Sequence, residues 1–165
     1  MKRSNLALLV MLVLSGAVFG QGGNPEVKVR ITATIEDYIE MITLSDIDVG
    51  TVVAGEDYLR LNARNDPGAG IIKINGRANA SVQINFSAQV EMINLSSNTS
   101  LTVNYNVSGN GENNQSASDV FTTNPMTVVL NHNGEYYLWI GCSFSLQDLV
   151  PGQYDGDFVV EVDYI

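Results

Sequence analysis

The sequence predicts an all-β chain, an immunoglobulin-like antiparallel β-sandwich of about eight or nine short strands with Greek-key connections. Three observations predict it. Apolar and polar residues alternate with a period of two along most of the chain. Clusters of Asn, Asp, Gly and Pro punctuate the runs at short intervals. No window of helical length carries an apolar stripe at helical spacing. The size agrees, since 165 residues that are 45% apolar and 16% charged, with 15 glycines, suffice for one core but not for two full domains.

In chain order, residues 1–20 read as a cleaved signal peptide. Met1-Lys2-Arg3 is a basic start, residues 6–14 are apolar, and Val18 and Gly20 are small residues before a cut ahead of Gln21. The apolar stretch is too short for an anchor and no Cys follows it, so the expectation is Sec export without lipid attachment or membrane insertion. Residues 21–35 form an N-terminal strand, with Val27, Val29, Ile31, Ala33 and Ile35 alternating with Lys28, Arg30, Thr32 and Thr34. Residues 36–165 form the sandwich domain. Within it, 36–41 has room for a helical turn, and 82–86, 101–107, 127–130, 136–146 and 153–165 read as strands. Turn chemistry falls at 65–68, 75–76, 131–134 and 151–152. Asn133-Gly134 predicts a hairpin joining 127–130 to 136–146, and 108–118 reads as an exposed loop.

Charge limits the partners. Eight Lys and Arg stand against 18 Asp and Glu, a net charge of −10, and loss of the leader takes this to −12. All six remaining basic residues precede residue 78, and 78–165 holds nine acids with no Lys or Arg. Nucleic acid and anionic lipid are thereby disfavoured as partners, because both select cationic surfaces. Catalytic chemistry is also unprovided for. The one histidine, His132, falls in a turn, and no G-x-S-x-G elbow, P-loop or dinucleotide fingerprint occurs. Cys142 is the only cysteine, so no internal disulfide forms; it shares a face with Leu138, Ile140, Phe144 and Leu146 and reads as a small core hydrophobe. No cofactor and no metal centre are expected. Asp46/Asp48 and Asp155/Asp157 place two carboxylates on one strand face, but Ca²⁺ takes about six to eight oxygens, and a solvated face is the simpler reading. Six Asn-x-Ser/Thr triplets matter only in a host that glycosylates them.

The C-terminal run carries more information. Tyr154, Gly156, Phe158, Val160, Val162 and Tyr164 share one face, while Asp155, Asp157, Val159, Glu161 and Asp163 share the other. Gly152 is fourteenth from the end and Tyr164 is penultimate. Together these features resemble the C-terminal motif of chaperone–usher pilins. The alternating segment at 27–35 resembles the donor segment of colonisation-factor-type fimbrial subunits, which likewise lack a disulfide. Residues 44–55 and 151–156 also resemble a family of secreted bacterial immunoglobulin-like domains of unknown function, over nearly all of 27–165. Val49 departs from that pattern, which usually has an aromatic there.

The pilin resemblance implies a sandwich lacking one strand. Its groove, bordered by the strand carrying Gly152, Tyr154, Phe158, Val160, Val162 and Tyr164, would be filled first by a periplasmic chaperone. An outer-membrane usher would then oversee exchange for the N-terminal segment of a like subunit, with Val27, Val29, Ile31, Ala33 and Ile35 as plugs. Lys28 and Arg30 on the outward face of that segment would meet Asp157, Glu161 and Asp163 and favour one register. The implied product is a surface fimbria with a role in adhesion. The alternative expectation is a monomeric exported binding module, closed in cis by 27–35, with Tyr136, Tyr137 and Trp139 as a stacking platform for carbohydrate.

Overall fold

Alternating side chains build the strands, and the residues that break the alternation decide where the chain changes sheet. A computed structural model describes residues 38–50 and 57–165. The expected leader and N-terminal strand, including Val27, Lys28, Val29, Arg30, Ile31, Ala33 and Ile35, lie outside the described residues. Among the described residues eleven strands form an all-β antiparallel sandwich. They are β1 (Glu40–Ser45), β2 (Tyr58–Arg60), β3 (Gly70–Asn75), β4 (Ser81–Phe86), β5 (Gln89–Asn94), β6 (Ser100–Asn110), β7 (Asp119–Val120), β8 (Met126–Val129), β9 (Glu135–Ser145), β10 (Tyr154–Asp155) and β11 (Val160–Tyr164). The larger sheet has eight strands, in the order β1-β3-β9-β6-β5-β10, with β2 also on β9 and β7 also on β6. The smaller sheet is β11-β4-β8. No helix among the described residues is long and apolar enough to cross a membrane.

The core lies between the two sheets. Ile74, Val82, Ile84, Val107, Leu130 and Leu138 are its most deeply buried members. Period two places Tyr136, Leu138, Ile140 and Cys142 of β9 on the inner face. Tyr137 and Trp139 therefore face outward, yet Trp139 is only 1% exposed. The reason is the excursion between β2 and β3, which folds back over it and forms a second small core of Ala63, Ala69 and Trp139. The Asn106 side chain pins that excursion as a strand would, accepting from the Ala63 amide at 2.8 Å and donating to the Leu61 carbonyl at 3.1 Å. Gln115 donates to the carbonyls of Ala63 and Asp66, each at 2.8 Å. Gly141 is required beneath it, because a Cβ there would strike the Leu61 carbonyl. Cys142 is a buried free thiol against Leu101 and Val103, and burial pushes its pKa up.

Four expectations need correction. The turn at 131–134 is present but is not a hairpin, since β8 pairs with β4 and β9 with β3 and β6. Leu130 and Tyr136 both enter the core, so the chain between them must cross from one sheet to the other. The C-terminal run is two strands rather than one: β10 pairs with β5, and β11 pairs with β4. The break falls at Gly156, where a Cβ would lie 3.0 Å from Met92 Cγ, and Phe158 then turns inward. Residues 40 and 41 belong to β1 rather than to a helical turn. Finally, 108–118 is not simply exposed: Ser108 and Ser118 are fully buried and joined by a 2.8 Å hydroxyl–hydroxyl hydrogen bond.

Tyr136 gives the core a pH signature. Burial, aided by the Asp119 carboxylate, raises its phenol from 10 to about 12. The folded state therefore favours the neutral ring. The associated stability is complete below about pH 10 and is lost as pH rises towards about 12, by on the order of 3 kcal/mol. Tyr136→Phe should remove that alkaline loss in urea titrations. Equal losses in both proteins would show that the phenol does not carry it.

Candidate functional site

Two strands border a gap. β11 is strand-forming by its alternation of Val160, Val162 and Tyr164 with Glu161 and Asp163, and its first three residues lie opposite Phe86, Asn85 and Ile84 of β4. The ladder continues at both ends, with Ser87 N–H donating to the Val159 carbonyl at 3.0 Å and Ile165 N–H to that of Ser81 at 3.2 Å. β4 itself ends against a side chain: Asn124 accepts from the Phe86 amide at 3.1 Å and donates to its carbonyl at 2.6 Å. Among the described residues β11 has β4 as its sole neighbour, and β1 has β3. Among the described residues each thus presents one unpaired edge, a combination that folded sheets normally cover or blunt.

The side chains along these edges are incompletely covered. Met41 lies opposite Ile74 in the β1–β3 register and so shares its inward face. Ile74 is fully buried, whereas Met41 is 43% exposed. Phe158, Val160, Val162 and Tyr164 all pack against the main core but are only half-buried, as are Ile39, Ile47 and Ile72 on the β1 side. Four inward apolar residues in a row that fail to reach full burial mark a core that is open along that line.

The gap is wedge-shaped. At one end Tyr164 Oη donates to the Tyr38 carbonyl, just before β1, at 3.2 Å. At the other end the Phe158 ring packs against Tyr105 of β6, tilted by 36° with 4.4 Å between centroids, and β6 stands three places in from β1. The two edges therefore meet at Tyr164 and diverge towards Phe158.

The outward side of β11 is acidic. Glu161 and Asp163 of β11 are exposed, as are Asp157 ahead of it and Asp155 of β10 in the other sheet, and Glu161 accepts from Asn85, directly opposite, at 3.2 Å. A shallow cleft of about 310 Å³, lined by Asn85, Phe86, Ser87, Val159 and Glu161, runs along this face. Their expected partners Lys28 and Arg30 lie outside the described residues.

Other candidate residues take different places. Gly152 has a local reason to be glycine: its φ is +155°, and a Cβ would lie 2.5 Å from Asn94 Nδ2. Asn94 is fully buried, accepting from the amides of Ser96 and Ser97 and donating to the Val150 carbonyl. Sequence reasoning missed this cluster, because an Asn at a strand end reads as surface. Tyr154 belongs to the cluster around Leu101, Val103 and Cys142 rather than to the gap, and its hydroxyl donates to the Val150 carbonyl at 2.9 Å. The stacking platform is also corrected: Tyr136 and Trp139 are buried, for the reasons given above, which leaves Tyr137 alone half-exposed. Lys73 and Glu135 beside it form an ion pair at 2.6 Å that raises the lysine and lowers the carboxyl, each mainly through the hydrogen bond to the other. No group of three or more His, Cys, Asp or Glu gathers as a metal site among the described residues. Asp48 instead caps its own turn, accepting from the Gly50 amide at 2.8 Å.

No protein-family model matches the chain, and no curated protein matches it. Among solved structures it is similar to a chain of the CsuC–CsuE chaperone–tip adhesion subunit pre-assembly complex from the archaic chaperone–usher Csu pili of Acinetobacter baumannii. The TM-score is 0.37 and the identity 14%, over 79% of this chain and 40% of that one, so the chain spans two fifths of the length of the structure it matches.

Proposed function

We propose that the chain is a non-catalytic structural subunit of a bacterial surface fimbria, polymerising by strand donation between copies. The observation that supports this reading is the pair of edges, β1 and β11, that no other described residue pairs, with half-buried apolar residues between them. A donated strand satisfies both needs at once: its main chain pairs with the edge, and its alternate side chains complete the core. Residues 27–35 have the required composition, with Val27, Val29, Ile31, Ala33 and Ile35 facing in and Lys28 and Arg30 facing out towards Glu161 and Asp163. Burying each large plug is worth about 1.5–3 kcal/mol, whereas each cross-strand charge pair adds only about 0.2–1 kcal/mol. Apolar burial therefore drives the contact, and charge selects its register.

Because each copy donates to the next, the contact is heterologous and does not close, which yields a filament. Before assembly an exposed groove aggregates, so a periplasmic chaperone covers it and an outer-membrane usher receives the subunit, after Sec export and leader removal. Adhesion is the role such a filament serves at the cell surface. The purified mature chain should form a concentration-dependent ladder of SDS-resistant multimers. A sharp monomer at every concentration would contradict the proposal and favour a self-complete binding module.

A further inference from the structure

The unpaired edges meet at one residue, and the way they meet suggests a device within the groove. Tyr164 Oη accepts from the Arg77 amide at 2.7 Å while donating to the Tyr38 carbonyl at 3.2 Å. A phenol has one proton to give and lone pairs to receive, so both bonds form together, each in one direction. Gly76 makes the seat, since a Cβ there would lie 2.6 Å from the same hydroxyl. The Arg77 guanidinium lies 5.3 Å from the centre of the ring. One atom thus joins the start of β1, the β3–β4 turn and the end of β11, beside the Glu40–Asn75 and Ile165–Ser81 pairings that tie each edge strand to its own neighbour.

We propose that the Tyr164 hydroxyl is a clasp: it holds the β1 and β11 edges together, closes that end of the gap, and stops a strand that enters from the Phe158 end. This rests on the assembly reading above for the entering strand, but not for the clasp itself. A fixed end matters because a strand that slips by one residue turns every inward side chain outward.

Tyr164→Phe in the full chain removes the hydroxyl and keeps the ring. Exchange at the Arg77 amide should quicken at least tenfold while that of Leu138, in the middle of β9, stays unchanged. Spin labels at Glu40→Cys and Asp163→Cys, both exposed positions, should give one narrow distance with Tyr164 and a broader, longer distribution with Phe. Multimers of the Phe variant should lose SDS resistance at least tenfold faster. Unchanged exchange and unchanged distances would overturn the clasp. A broadened distance with multimers of unaltered durability would overturn the stop. If the unaltered chain forms no multimers, the assembly reading fails, and the clasp stands or falls on exchange and distance alone.

Discussion

Replacing Ile31 with Asp is expected to abolish the multimer ladder and leave a folded monomer. Ile31 is the middle plug of the alternating segment at 27–35. An ionised carboxylate forced into an apolar groove has no partner there, and its desolvation exceeds what the remaining plugs contribute. The domain that receives the strand is untouched by the change, so far-ultraviolet circular dichroism should remain that of the parent. Thr32→Asp, one residue away and on the opposite face, provides the control and should assemble, because its carboxylate stays in water. Sedimentation of both variants across a hundredfold concentration range reads the difference. An Ile31→Asp chain that assembles like its parent would mean that 27–35 is not the donated strand.

Trp139→Ala is expected to be the most damaging single change within the described fold. The ring is the centre of the small outer core, 1% exposed, with Ala63 and Ala69 above it and Tyr137 beside it at 6.3 Å between ring centroids. Removing a buried Trp costs about 3–5 kcal/mol through lost burial and the cavity left behind. A domain of this size is stable by only about 5–15 kcal/mol, so about a fifth or more of the total would go. The excursion over 61–69 also loses the surface it rests on, although Asn106 and Gln115 continue to hold its backbone. Urea unfolding followed by circular dichroism measures the loss, since the chain has no other Trp for fluorescence. A midpoint shift equivalent to less than about 1 kcal/mol would show that the outer core is a loose cover.

The legible and illegible parts of the molecule differ for physical reasons. β4, β8 and the first half of β6 each have one wet and one dry face, and their period of two is plain in the sequence, whereas β9 is buried on both faces over residues 138–142. β1 was hidden because Met41 and Ile42 are consecutive and apolar, one on each face of an uncovered edge. The break at Gly156 was hidden because inward and outward positions keep their alternation while the chain changes sheets. Parity does point Trp139 outward, but the excursion that buries it is visible only in three dimensions. The outward Glu161 and Asp163 of β11 and the inward set of Phe158, Val160, Val162 and Tyr164 were both readable. The contacts that give Tyr164 its place were not, because Arg77 and Tyr38 lie 87 and 126 residues away in sequence.

Strand donation between copies is tested most directly by mixing two single-cysteine chains in a Cys142→Ser background, one carrying Lys28→Cys and the other Glu161→Cys. Under mild oxidation the expected product is a disulfide joining the two different chains, found only when both are present. A third chain carrying both cysteines reports the opposite case. An internal disulfide in its monomer, with no link forming between the mixed chains, would contradict donation in trans and leave a sandwich that completes itself.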